Sequence, residues 1–170
     1  PILFSAVTDP VQAKLVASTD APGGNVTGTS DAADIERQVA LFQELDPNIK
    51  TIGVIYNTSE VNSEIQVNQI KEIAPKYNME VKEVGINNIH EISQAMETLV
   101  TQIDGLYIPS DNMIASSVSI VADILKENKV PSVSAEASQL EGGTLLTEGL
   151  SYYELGKQTA EMAKKILVDG

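Results

Sequence analysis

The chain has 170 residues, with 11 Lys and Arg against 24 Asp and Glu, a formal net charge of −13. That balance argues against nucleic acid, whose phosphates demand a Lys/Arg surface, and against an anionic membrane surface. There is no Cys and one His, His90, which excludes disulfides, thiolate metal sites and Cys nucleophiles and leaves little for a Ser-His-Asp triad.

Ile2 to Val7 is an apolar run that predicts a buried strand, and Asp9-Pro10 predicts the start of a short helix over Val11 to Ser18. The chain opens directly on that strand, which reads as a segment of a longer protein. Pro22 to Gly28 is turn-rich and predicts a crossover or hinge. Ser30-Asp31 can cap a helix through Leu45, with Ile35, Val39, Phe42 and Leu45 at helical spacing. Thr51 to Tyr56 predicts a second strand, and Asn62-Ser63 opens a helix that Pro75 ends or bends. Met79 to Val84 predicts a third strand, Ile89 to Val100 a helix, and Asp104 to Pro109 a fourth strand. Asn112 to Glu127 reads as one helix with Ile114, Val118, Val121 and Leu125 on one face. Pro131 to Ser134 and Thr144 to Thr147 predict two more strands, and Ser151 caps a final helix whose apolar positions are Leu155, Met162, Ile166 and Leu167. No apolar run approaches the ~18 residues of a membrane span.

Strand and helix alternate, so the fold class is α/β, a parallel doubly wound sheet with helices on both faces. Ligands of such sheets bind beyond the carboxyl ends of the strands. Here those ends carry Ser5 to Asp9, Tyr56 to Glu60, Pro109 to Asn112, Ser134 to Glu136 and Glu148 to Tyr152. They offer small hydroxyls, amides and carboxylates, several just before a helix whose free N–H groups favour an anion. The set suits a small zwitterion, although each loop taken alone is also an ordinary helix cap or turn. Asp111, directly after a strand and before a helix, is the sharpest candidate for an ammonium. Ser63 with its helix N-terminus is the candidate for a carboxylate. Tyr56, Tyr107, Tyr152 and Tyr153 can stack a ring or be core residues, and His90 reads as a surface or cap residue.

Enzyme signatures fail. Gly23 to Gly28 lacks the Lys-Ser/Thr ending of a phosphate loop and the dinucleotide spacing. No G-x-S-x-G elbow is present, and nothing selects a carboxylate pair. The chain reads as a non-enzyme without a cofactor or metal; an α/β enzyme using Asp111 or Glu136 as acid or base is the lesser alternative.

Phe4 to Val11, Pro22 to Gly28, Ile52 to Asn57, Asn62-Ser63, Leu106 to Asn112 and Tyr152 to Gln158 together resemble a bacterial family of ABC-transporter substrate-binding proteins. The family is similar to the type I periplasmic-binding fold and includes binders of tryptophan and phenylalanine. The resemblance implies two α/β lobes closing on an amino-acid-like ligand, with ABC permease subunits as partners and no nucleic acid. It also implies a signal peptide and an extracytoplasmic, periplasmic or lipid-anchored location. By position, 29–142 would be the complete second lobe, while 1–28 and 143–170 would be parts of an incomplete first lobe. Ser5, Thr8 and Tyr152 would be the first lobe's ligand-binding residues; Asn57, Ser63, Ser110, Asp111 and Glu136 would be the second lobe's. A partial first lobe exposes apolar faces, so a dimer of the fragment is an expectation. The alternative of a different class is the ligand-sensing domain of a transcriptional regulator or receptor with the same fold.

Overall fold

The computed structural model describes residues 1–168. They divide into two compact units, one of Pro1–Ala33 with the chain from Leu150 onward, the other Asp34–Gly149.

In the second unit, five strands are ordered β4-β3-β5-β6-β7: β3 (Thr51–Asn57), β4 (Glu80–Ile86), β5 (Gly105–Ile108), β6 (Ser132–Glu136) and β7 (Leu146–Leu150). The pairs β3–β4, β3–β5 and β5–β6 are parallel. Ile52, Val54 and Ile55 of β3 are all fully buried although they alternate between the faces of the sheet. Both faces are therefore covered, as a parallel sheet requires. Helix α1 (Ile35–Leu45) packs on α2 (Val61–Ile73), and α3 (Ile92–Leu99) packs on α5 (Val118–Asn128). The α3–α5 side buries Ile55, Ile92, Met96, Leu106, Ile114, Val121 and Leu125 in one cluster. Gly105 is required by close approach: a Cβ there would stand 2.7 Å from the ring of buried Phe42.

The alternation expected from sequence is present, with local corrections. The helix expected over 112–127 is two helices, α4 (Asn112–Ser116) and α5, because Ser117 leaves helical geometry at φ −125° and ψ 16°. Helix α1 begins at Ile35, not after Asp31, because Asp34 caps it by accepting from Arg37 N at 2.9 Å. A four-residue helix, α6 (Ser138–Glu141), was not expected. Residues 143–149 fall within the compact unit Asp34–Gly149. Thr147 Oγ1 donates to Ser134 O at 2.6 Å, Ser134 Oγ to Leu146 O at 3.2 Å, and Gln38 Nε2 to Glu148 O at 3.0 Å.

The first unit holds β1 (Ile2–Phe4) and β2 (Val26–Gly28), paired in parallel, and the long α7 (Tyr152–Val168). Strand β2 lies in the stretch read as a turn; Gly28 fits because a Cβ there would meet Phe4 O at 2.2 Å. The helix expected over 11–18 is absent. Asp9 Oδ1 caps Val11 N and Gln12 N, each at 2.9 Å, but Lys14 turns left-handed at φ 57° and ends the coil after one turn. Among the described residues, no helix is long and apolar enough to cross a membrane.

Candidate functional site

The carboxyl ends of β3 and β5 bring four of the expected residues together: Asn57, Ser63, Ser110 and Asp111. Asp111 follows β5 after Pro109 and Ser110 and becomes the N-cap of α4, its Oδ1 accepting from Ile114 N at 3.0 Å. Its Oδ2 accepts from Asn57 N and from Ser63 Oγ, both at 2.7 Å. A carboxylate placed at a helix start satisfies free N–H groups and the positive end of the dipole. Here one group also ties β5 to β3 and α2. Asp111 is 1% exposed and Ser63 is fully buried. Asp111 and Ser63, expected to take an ammonium and a carboxylate, here bond to each other. Their polar atoms face each other and build the edge.

Glu60, one of the strand-end carboxylates, is the organising residue. Its backbone caps α2, while its side chain crosses to α4. Oε2 accepts from Asn112 N at 3.0 Å, Asn112 Nδ2 at 2.7 Å and Asn62 Nδ2 at 3.3 Å. Oε1 accepts from Asn57 Nδ2 at 3.2 Å and Met113 N at 3.3 Å. Burial pushes the Glu60 carboxyl up, but the donors Asn112, Asn62 and Asn57 outweigh burial and leave it below its ordinary value. Glu60 stays an anion and holds three asparagines and the Met113 N–H in place. The signal for it was an acid between Asn57 and Asn62, but its main partner is 52 residues away.

Asn57 is occupied at every polar side-chain atom, since its Oδ1 accepts from Ser59 N at 2.9 Å. Ser110 differs. Its N–H donates to Gln66 Oε1 at 3.0 Å and its carbonyl accepts from Asn62 Nδ2 at 2.6 Å. No hydrogen bond engages its hydroxyl among the described residues. Glu136 ends β6 and its Oε2 accepts from Ser138 Oγ at 3.1 Å. Tyr107 is a core residue and not a ring to stack on: its hydroxyl donates to Gln38 Oε1 at 2.7 Å, and burial, then Glu136, push the phenol up.

The first unit carries Ser5, Thr8 and Tyr152. Thr159 Oγ1 donates to Leu155 O at 2.9 Å, so it accepts from Ser5 Oγ at 3.0 Å and from Thr29 Oγ1 at 2.7 Å. Thr8 takes part through its carbonyl, which accepts from Ser30 Oγ at 3.0 Å. Tyr152 donates its hydroxyl to Asp31 Oδ2 at 3.1 Å. Asp31 is buried, and its Oδ1 has no partner among the described residues. A buried carboxylate oxygen without a donor is costly, which makes Asp31 a residue that the sequence reading passed over, as a helix cap.

Over residues 1–169 the chain matches the family described as ABC transporter substrate binding protein. The chain belongs to that family. A tyrosine-binding protein of Clostridioides difficile is 48% identical over 167 residues, which is 98% of this chain and 48% of that protein. This chain thus spans about half the length of that curated relative. A Streptococcus ABC domain solved in complex with L-Trp superposes with a TM-score of 0.90 at 35% identity, over 98% of this chain and 58% of that one. A ligand-free, open substrate-binding protein with adhesive properties from Clostridium difficile superposes at 0.79 with 48% identity, over 98% and 57%. The family is one of binding proteins and not of catalysts, and the type I periplasmic-binding architecture expected from sequence is the one these neighbours share.

Proposed function

We propose that this chain is part of the extracytoplasmic solute-binding component of an ABC importer, and that its ligand is a zwitterionic, aromatic amino acid. In the complete protein the ligand would be held between two lobes and delivered to ABC permease subunits. The observation that carries the reading is the buried, unpaired oxygen of Asp31 beside the Tyr152 hydroxyl. An anion so placed favours an ammonium partner, because opposite charge offsets the cost of burying it. On the second unit, Ser110 offers a hydroxyl and Glu136 a carboxylate, while Asp111, Ser63 and Asn57 hold the strand ends in register. Names support the ligand class: one relative binds tyrosine and one neighbour holds L-Trp.

Calorimetry on the full-length parent protein with L-Tyr, L-Trp and L-Phe tests the reading. One site per chain is expected, with Asp31→Asn weakening it about 100-fold, the order expected when a buried charge loses its partner. Absence of heat with all three amino acids would overturn it. A regulator's sensor domain is the alternative of another class, and a DNA-binding segment preceding Pro1 in the parent would favour it.

A further inference from the structure

The peptide between Pro109 and Ser110 is gripped from two helices. Gln139 of α6 donates Nε2 to Pro109 O at 3.0 Å, and Gln66 of α2 accepts Ser110 N on its Oε1 at 3.0 Å. Both glutamines are only 1% exposed. Each uses one end of its amide and leaves the other unpaired: Gln66 Nε2 and Gln139 Oε1 have no partner among the described residues. Neither amide can flip to relieve this. A flip of Gln66 would set NH2 against the Ser110 N–H, and a flip of Gln139 would set oxygen against the Pro109 carbonyl. A buried amide normally finds partners for both ends. These two are arranged for the peptide they hold and not for their own satisfaction. Asn62 Nδ2 on Ser110 O and the Asp111 N to Pro109 O bond at 2.9 Å complete the grip. The one polar atom of this peptide pair outside the grip is the Ser110 hydroxyl.

We propose that Gln66 and Gln139 are positioning residues that fix the Pro109–Ser110 peptide, and with it the Cα–Cβ direction from which Ser110 presents its hydroxyl to the ligand. The proposal rests on the amino-acid-binding reading above and adds how affinity is made. A backbone held in place before binding loses little freedom when the ligand arrives, so rigidity of the peptide appears as affinity. Glutamine suits the task because its amide reaches from a helix and carries either a donor or an acceptor to a neutral peptide, with no charge to bury.

The test is a double-mutant cycle on the full-length protein, read by calorimetry with L-tyrosine. Gln66→Met and Gln139→Met preserve volume and remove the hydrogen bond. Each is expected to weaken binding about tenfold, as does Ser110→Ala. Combined with Ser110→Ala, either Met variant should add less than about twofold, since both act through one hydroxyl. Losses that multiply to about 100-fold in the double variants would show independent structural effects and overturn the proposal. So would unchanged affinity in the Met variants. The glutamines sit on different helices and hold the same peptide, so if one variant fails to fold the other decides. Amide exchange at Ser110, faster in the Met variants, reads the grip itself. A wild-type protein that binds no amino acid, with slow Ser110 exchange, instead marks failure of the ligand reading.

Discussion

The two units are built on different terms. In the second, Phe42, Ile52, Ile55, Met96 and Leu106 are among many fully buried apolar side chains; in the first, Pro10 and Leu155 are the buried apolar side chains among the described residues. Ile2, Leu15, Tyr153, Leu167 and Val168 of the first unit stand exposed, Tyr153 at 75% beneath the Lys157 ammonium at 5.4 Å. Hydrophobic burial is the main favourable term in folding. The second unit therefore carries its own stability, while the first is organised by a two-strand ladder and hydroxyl bonds around Thr159. The candidate groups divide in the same way. Those of the second unit sit on a hydrogen-bonded strand edge, and Asp31–Tyr152 belongs to the first unit.

The comparison can be broken by mutation. Phe42→Ala should destabilise by about 4 kcal/mol, because a large cavity opens in a packed interior, whereas Leu167→Ala should stay within about 0.5 kcal/mol. Urea unfolding of both variants checks this; equal losses would remove the contrast. Asp111→Ala should cost about 3 kcal/mol, since Ile114 N, Asn57 N and Ser63 Oγ lose their acceptor together in a buried place. Ser63→Ala, which removes one donor and leaves the cap, should cost about 1 kcal/mol.

One further effect is one of pH. The Glu60 carboxyl lies below its ordinary value, so its stabilising contribution is complete above the unfolded carboxyl value of about 4.3 and fades as pH falls through the lower folded value. Wild type should exceed Glu60→Gln by about 1 kcal/mol at neutral pH, and the difference should close in strong acid. Unfolding curves at the two pH values measure it, and a gap that widens on acidification would contradict the hydrogen-bond account.

Much of the fold was legible because its signals are local. Val39 and Phe42 show helical spacing, and the buried runs of β3 and β5 are bounded by polar turns. The misses also have local causes. Strand β2 is three residues long among turn formers, and its partner lies 24 residues earlier. The absent helix after Pro10 fails at Lys14, whose left-handed backbone no composition signal announces. Ser117 breaks a helix whose apolar spacing continues unbroken across it. In the site, Asp111 was legible as a cap because an acid after a strand and before a helix has one common use. Its engagement with Ser63, and the reach of Glu60, Gln66 and Gln139 across the sheet edge, depend on contacts formed only in the fold.

The zwitterion is the centre of the functional account, and it can be dissected chemically. Competition of L-tyrosine against tyramine, which lacks the carboxylate, and 3-(4-hydroxyphenyl)propionate, which lacks the ammonium, on the full-length protein measures both halves. The account predicts that each analogue binds at least about 100-fold more weakly than L-tyrosine, and that Asp31→Asn narrows the gap for the propionate. Propionate binding as tight as tyrosine itself would contradict it.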